Sequence, residues 1–176
     1  MAYRPGAEAG VDREDDPGGL LSAPPAIDPL PLPEALHERP GGMSILLVED
    51  NPGDIRLVRE AFDHGTRPLR LTIVHDGLEA LAMLQRAHHM PDLILLDLNL
   101  PGLDGRSVLR RIKSAPETMR IPVVVLTNSD APQDVRGAYD LHANCYLVKP
   151  PDYAGFERAL RQLLDFWGEV AHLPDF

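Results

Sequence analysis

Leu93-Ile94-Leu95-Leu96-Asp97-Leu98-Asn99-Leu100-Pro101-Gly102 constrains this chain more than any other stretch: four apolar residues run into an acid, and proline and glycine then turn the backbone. An unbroken Leu/Ile run without polar alternation fits a strand covered on both faces, as at the centre of a parallel sheet. In open sheets of that kind ligands bind beyond the carboxyl ends of the strands, where strand order reverses. Asp97 stands at such a place, although a strand-end acid that only opens a turn is the commoner arrangement.

Other strands end in equally chemical residues. Ile45-Leu46-Leu47-Val48 closes on Glu49-Asp50, Val123-Val124-Val125-Leu126 on Thr127, and Cys145-Tyr146-Leu147-Val148 on Lys149-Pro150. Leu69 to Val74 alternates enough for a strand nearer the sheet edge. Between the strands lie helical patterns. Asp54 is placed to cap a helix bearing Ile55, Val58, Ala61 and Phe62, which Gly65 ends. Asp76 with Glu79 makes a capping-box pattern before Leu78, Leu81, Ala82 and Leu84. Asp104 heads a helix with Val108, Leu109 and Ile112 at core positions, and Asp130 with Gln133 heads a short one through Val135, Ala138 and Tyr139, Pro132 being acceptable in its first turn. From about Asp152 a last helix carries Phe156, Leu160, Leu163 and Trp167 on one stripe. Five strands alternating with five helices imply an α/β fold, a parallel sheet with helices on both faces and right-handed crossovers.

Residues 1–42 contrast with this pattern. They hold Pro5, Pro17, Pro24, Pro25, Pro29, Pro31, Pro33 and Pro40, glycine pairs at 18–19 and 41–42, and eight acids against three bases, with no apolar periodicity. Such a segment cannot recover its ordering entropy by burial, so a disordered Pro/Gly-rich tail is expected at 1–42, a single domain at 43–170 and a short C-terminal tail at 171–176. Met43, directly before the first strand, is a candidate translation start. The formal charge of -10 and pI near 5.0 argue against a nucleic-acid surface. One cysteine, Cys145, excludes an intramolecular disulfide, and no run approaches the 18 or so apolar residues of a membrane helix, so a cytoplasmic protein is expected.

Three carboxylates without histidine or thiol partners suit a hard cation with oxygen ligands, and Glu49, Asp50 and Asp97 would hold Mg2+. With Lys149 and Thr127 opposite, the same pocket could surround a small tetrahedral anion. These are the parts of phosphoryl transfer, with Asp97 as the nucleophile that forms an acyl phosphate.

In these residues the chain from Met43 to about Gly168 resembles the receiver domains of two-component response regulators: Glu49-Asp50, Asp97, Asn99, Thr127 and Lys149-Pro150 occur in that order. The resemblance implies a flavodoxin-like, doubly wound sheet of order 2-1-3-4-5 and phosphorylation of Asp97 by a sensor histidine kinase. It implies Mg2+ on Asp50, Asp97 and the Asn99 backbone carbonyl, with Glu49 reaching the ion through water. It implies also a cis Lys149-Pro150 bond and a Thr127–Tyr146 switch pair, in which the hydroxyl moves to the phosphoryl group as the ring turns inward. Glu-Asp-Asn-Pro-Gly-Asp at 49–54 and Ala-Asn-Cys-Tyr-Leu-Val-Lys-Pro at 143–150 look like the single-domain regulators partnered with bacterial phytochromes. Asn128, bulkier than the residue many receivers carry there, and Pro151 depart from the common pattern.

Few residues follow the last helix, so output is expected through contact with a downstream protein rather than through an appended domain or an enzymatic activity of the chain's own. A haloacid-dehalogenase-type phosphatase would need a second acid where Asn99 stands. A flavodoxin-like cofactor binder would want a Ser/Thr-rich phosphate loop where Glu49-Asp50 stand. A phosphorylation-independent interaction module would lack part of the acceptor set, which here is complete. Finally, the apolar arc of the last helix is wider than the roughly 100° stripe one sheet covers, so Leu164, Phe166, Trp167 and Val170 are expected to form a homodimer interface unless residues 171–176 fold back over them.

Overall fold

The computed structural model of the protein describes residues 42–63 and 68–174. The expected tail at 1–41, the helix stop at Gly65 and the last two residues of the C-terminal tail lie outside them. Five strands and five helices alternate: β1 (Met43–Val48), α1 (Pro52–Asp63), β2 (Leu69–Val74), α2 (Gly77–Arg86), β3 (Leu93–Asp97), α3 (Gly105–Ser114), β4 (Val123–Thr127), α4 (Pro132–Asp140), β5 (Cys145–Val148) and α5 (Tyr153–Asp165), the last continuing into a π-helical turn, Phe166–Val170. The strands form one parallel sheet of order β2-β1-β3-β4-β5. This is the flavodoxin-like order expected for a receiver, with its switch point between β1 and β3.

The pleat divides the apolar runs between two cores. Leu46, Val48, Ile94, Leu96, Val123 and Val125 face α2, α3 and α4, where they meet Ala80, Met83, Leu84, Val108, Leu109 and Ile112. Ile45, Leu47, Leu93, Leu95, Val124 and Leu126 face α1 and α5, against Ile55, Val58, Phe62, Phe156, Leu160 and Leu163. Every residue of β3 is buried because both faces are covered, and each such Leu or Ile contributes about 1.5–3 kcal/mol. The edge strand β2 is only partly buried, as its alternation implies. Among the described residues no helix is long and apolar enough to cross a membrane.

The helix starts are set by side-chain oxygens. Asp152 caps α5 by accepting the Gly155 N–H, and Asp76 and Asp104 accept the backbone N–H of Glu79 and Ser107, so two expected caps are present. Two are not. Asn51, rather than Asp54, accepts the first free N–H groups of α1, from Gly53 at 2.8 Å and Asp54 at 3.4 Å. At α4 the Asp130–Gln133 box is absent: Ala131 is the N-cap without a side-chain bond and Pro132 follows, its missing N–H making a cap less necessary.

Two apolar stripes are also shifted from expectation. In α2 the buried positions are Gly77, Ala80, Met83 and Leu84, while Leu78 is 62% exposed. A Cβ at Gly77 would lie 2.4 Å from Val108 Cγ2 and 2.7 Å from the Leu103 carbonyl oxygen, so close approach to α3 selects small residues over the larger leucine. In α4 only Ala138 is buried and Tyr139 is 49% exposed, because this short helix meets the core over one shallow line. The Lys149–Pro150 bond is trans, there being no cis peptide among the described residues. The trans form is intrinsically favoured by about 0.5–1 kcal/mol before proline, and it already delivers the lysine to the acids of β1 and β3.

Candidate functional site

Parallel order brings the carboxyl ends of β1, β3, β4 and β5 to one edge, and the residues there converge. Glu49 follows β1, tied down as its N–H donates to the Val74 carbonyl at 3.0 Å, and it is 1% exposed. Asp97 ends β3 and is 4% exposed; its Oδ1 accepts the Asn99 N–H at 2.9 Å. Thr127 ends β4, fully buried. Lys149 follows β5, anchored as its N–H donates to the Thr127 carbonyl at 2.7 Å. From there its four-carbon stem passes over β4. The ammonium donates to Glu49 Oε2 at 2.7 Å, Asp54 Oδ2 at 2.7 Å and Asp97 Oδ2 at 2.8 Å, one proton to each carboxylate.

The charges are unequal in number, and the direction of each pKa shift follows from that and from burial. Burial pushes Glu49 up to about 7, its bond to Lys149 offsetting only part of that cost and the Asp97 charge adding to it. For Lys149 burial works the other way. Yet its bonds to Asp54, Asp97 and Glu49 together outweigh burial and hold its pKa above the ordinary lysine value. One ammonium therefore faces three acids, two of them nearly inaccessible to solvent, a surplus of negative charge that a divalent cation would relieve. Oxygens of Glu49, Asp54 and Asp97 lie within 4.8 Å of one another, a spacing one ion could bridge, and the all-oxygen donor set suits Mg2+.

Of the residues expected from sequence, Glu49, Asp97 and Lys149 are in direct contact. Asp50 is exposed and outside the three-acid group, and Asn99 is exposed with its N–H on Asp97. The Thr127 hydroxyl accepts the Ser129 N–H at 3.3 Å. Tyr146 packs against the α2–α4 core and donates its hydroxyl proton to the Ser129 carbonyl at 2.9 Å, so both members of the expected switch pair end on one residue. Ser129 Oγ in turn donates to Asp134 Oδ2 at 2.6 Å, and Asp134 pairs with Arg106 of α3 at 2.6 Å.

Sequence reasoning missed Asp54 and Ser129. From sequence Asp54 reads as a helix cap, yet Asn51 in the same turn does that work, which leaves the Asp54 carboxylate for another purpose. Nothing marked Ser129, whose importance comes from a loop conformation. At the far end of the chain Phe166 is 50% and Val170 66% exposed, Trp167 is partly buried against the α1–α5 core, and Leu164 is buried in it. Leu164 is therefore spent on the fold of its own protomer.

The profile of the response regulator receiver domain matches residues 45–161. The response regulator Rcp1 of Synechocystis sp. is 47% identical over 135 residues, covering 74% of this chain and 92% of that protein. Among solved structures, the phosphorylated cyanobacterial phytochrome response regulator RcpA superposes with a TM-score of 0.74 at 45% identity, covering 77% of this chain and all of the other. The Mn2+-bound form of Rcp1 superposes with a TM-score of 0.72 at 46% identity, covering 75% and 99%. With the sheet order, the buried acid–lysine pocket and these matches in agreement, the chain belongs to the response regulator receiver domain family.

Proposed function

We propose that this receiver takes a phosphoryl group from the phosphohistidine of a sensor histidine kinase onto Asp97. The observation that carries this is the contact of Lys149 with both Asp97 and Glu49, all three side chains being 5% exposed or less. A carboxylate oxygen of Asp97 attacks phosphorus as the phosphorus–nitrogen bond breaks, the electron pair staying on the histidine ring. The Lys149 ammonium then turns from Asp97 to the phosphoryl oxygens and Thr127 supplies a hydroxyl to them. Glu49, Asp50, Asp97 and the Asn99 carbonyl would hold Mg2+, which when bound supplies charge neutralisation of the transferring group. Hydrolysis of the acyl phosphate by water resets the protein, with Asn128 limiting access.

Two further parts rest on different support. RcpA is a phytochrome response regulator, and the motifs at 49–54 and 143–150 look like those of that group, which supports a phytochrome as the kinase, with both proteins in the cytoplasm. The exposed Phe166 and Val170, beside the half-covered Trp167, form the contact of a homodimer. Downstream output passes through protein contacts.

Intact mass after incubation with Mg2+ and a small phosphodonor tests the central step. The expected result is gain of one phosphoryl group, lost again with time, and no gain in Asp97→Asn; labelling of that variant at wild-type level would refute the assignment. Light scattering at tens of micromolar tests the dimer. A monomer with and without phosphodonor overturns it, and a dimer that survives Phe166→Glu moves the contact elsewhere.

A further inference from the structure

Lys149 has three protons and spends each on a different carboxylate, but those carboxylates are not equivalent. Glu49 and Asp97 are deep, their side chains 1% and 5% exposed, whereas the Asp54 side chain is 20% exposed at the mouth of the pocket. Asp54 is also free of the duty its position suggests. In the first turn of α1 it would ordinarily act on the helix end, yet Asn51 Oδ1 already accepts the N–H groups of Gly53 and Asp54 itself. Its carboxylate turns inward instead and meets the ammonium at 2.7 Å.

The consequence concerns what happens when the pocket takes its cation, and it rests on the receiver reading above. Glu49 and Asp97 are held by Lys149, and a divalent ion bound to them would stand beside an ammonium of like charge. The lysine backbone cannot retreat, because its N–H is fixed on the Thr127 carbonyl at 2.7 Å. Only the stem can swing, and the partner lying toward solvent is Asp54. We propose that Asp54 is a positioning residue that keeps hold of the Lys149 ammonium when Glu49 and Asp97 turn to a divalent cation, so that ion and amine occupy the pocket together. Lacking Asp54, the ion could bind only by displacing an amine with no other acid to receive it.

This separates Asp54 from a direct metal ligand, since its effect must run through Lys149. Calorimetric titration of the full chain with Mg2+ should show Asp54→Asn weakening affinity about tenfold, in the range expected when a residue supporting a metal site is removed. Asp54→Glu, which restores the charge on a longer arm, should recover most of the loss. In a Lys149→Met background, Asp54→Asn should change affinity by no more than about twofold, because there is no ammonium left to hold. An equal loss in both backgrounds, or no loss in the first, overturns the proposal. Side-chain 15N NMR of labelled lysine gives a readout that does not depend on the double variant folding. With Mg2+ bound, the Lys149 ammonium should exchange slowly with solvent in the wild type and rapidly in Asp54→Asn, and slow exchange in both would be decisive against it. A wild-type protein that binds no Mg2+ overturns instead the receiver chemistry on which the proposal rests.

Discussion

Replacing Lys149 by methionine removes a charge while keeping most of the volume, and the structure gives both the size and the pH dependence of the result. Deleting one partner of a buried ion pair costs about 3–5 kcal/mol, because the remaining charge is left in a poorly solvated place. Here three carboxylates lose their shared cation at once, two of them nearly inaccessible. Glu49 has a way out. Its pKa is already about 7 through burial, against 4.5 for a free glutamate, and losing the ammonium removes the contribution that was lowering it, so in the variant it rises further.

The sign of the pH effect follows from proton binding. Between about pH 4.5 and 7 the folded wild type holds a proton on Glu49 that the unfolded chain has released, so stability falls as pH rises through that window. The variant falls in parallel there. Above pH 7 the wild type levels off, while the variant goes on losing up to about 1.4 kcal/mol per pH unit until its own, higher pKa is passed. Lys149 itself does not intrude, since its pKa is raised and its contribution is lost only well above this range. Thermal unfolding followed by circular dichroism in chelator should thus show Lys149→Met melting on the order of 10–20 °C lower, at a few degrees per kcal/mol for a domain of this size. The gap should widen from pH 7 to 9 and narrow when Mg2+ is added. A melting point within about 3 °C of wild type, or a gap unchanged above pH 7, would refute the account of the pocket as one cation compensating three acids.

A Cβ at Gly105 would lie 2.2 Å from the Asp97 carbonyl oxygen and 2.5 Å from Leu98 Cα, backbone atoms that cannot yield, so Gly105→Ala should lose about 1–3 kcal/mol in denaturant unfolding and slow labelling of Asp97. Gly137→Ala, where a Cβ would meet nothing within 4 Å, is the control and should be neutral or stabilising by up to about 1 kcal/mol. Thr127→Ala should still gain a phosphoryl group in the mass assay but no longer transmit it; if phosphodonor changed amide exchange at Ser129 and Asp134 equally in variant and wild type, the hydroxyl would have no coupling role.

What could be read from the sequence was whatever burial on both faces dictates. Leu93–Leu96 and Val123–Leu126 are strands because no other arrangement hides such runs within five residues, and their terminal Asp97 and Thr127 then fall at one sheet edge by topology alone. Helix phase was less legible wherever close packing favoured small residues: Leu78 outweighs Gly77 on any hydrophobicity scale, but only glycine fits against the Leu103 carbonyl. Asp54 was hidden by a competition inside one turn, since Asn51 and Asp54 are both good caps and the choice depends on a lysine 95 residues away. The last turn was partly legible. Its exposed Phe166 and Val170 follow from helix length, but the burial of Leu164 depends on how α5 settles against α1 and the sheet, which periodicity does not specify.

Asp97 is buried, so a change there reaches the surface through the groups packed around it, and the loop after β4 is placed to carry it. Ser129 spends all three of its polar groups on different elements: its N–H on the Thr127 hydroxyl of β4, its carbonyl on the Tyr146 hydroxyl of β5, and its own hydroxyl on Asp134 of α4. Thr127 and Tyr146 do not bond to each other, and Ser129 is the residue whose backbone their two hydroxyls share, so the proposed coupling is expected to run through it. If the Thr127 hydroxyl turns toward a phosphoryl group, the Ser129 N–H loses its acceptor and the loop must follow or leave a polar group unpaired, at a cost of about 1–3 kcal/mol. Following carries the carbonyl that Tyr146 uses and the hydroxyl that Asp134 uses. Asp134 is held at 2.6 Å by Arg106 in the first turn of α3, two residues after the Asp104 cap. Since α3 begins at Gly105, packed on the Asp97 carbonyl, the same ion pair is reached from Asp97 by two routes, one along each side of the pocket. On the proposed chemistry, phosphorylation of Asp97 is therefore expected to change shape first at the face formed by the start of α4 and the start of α3.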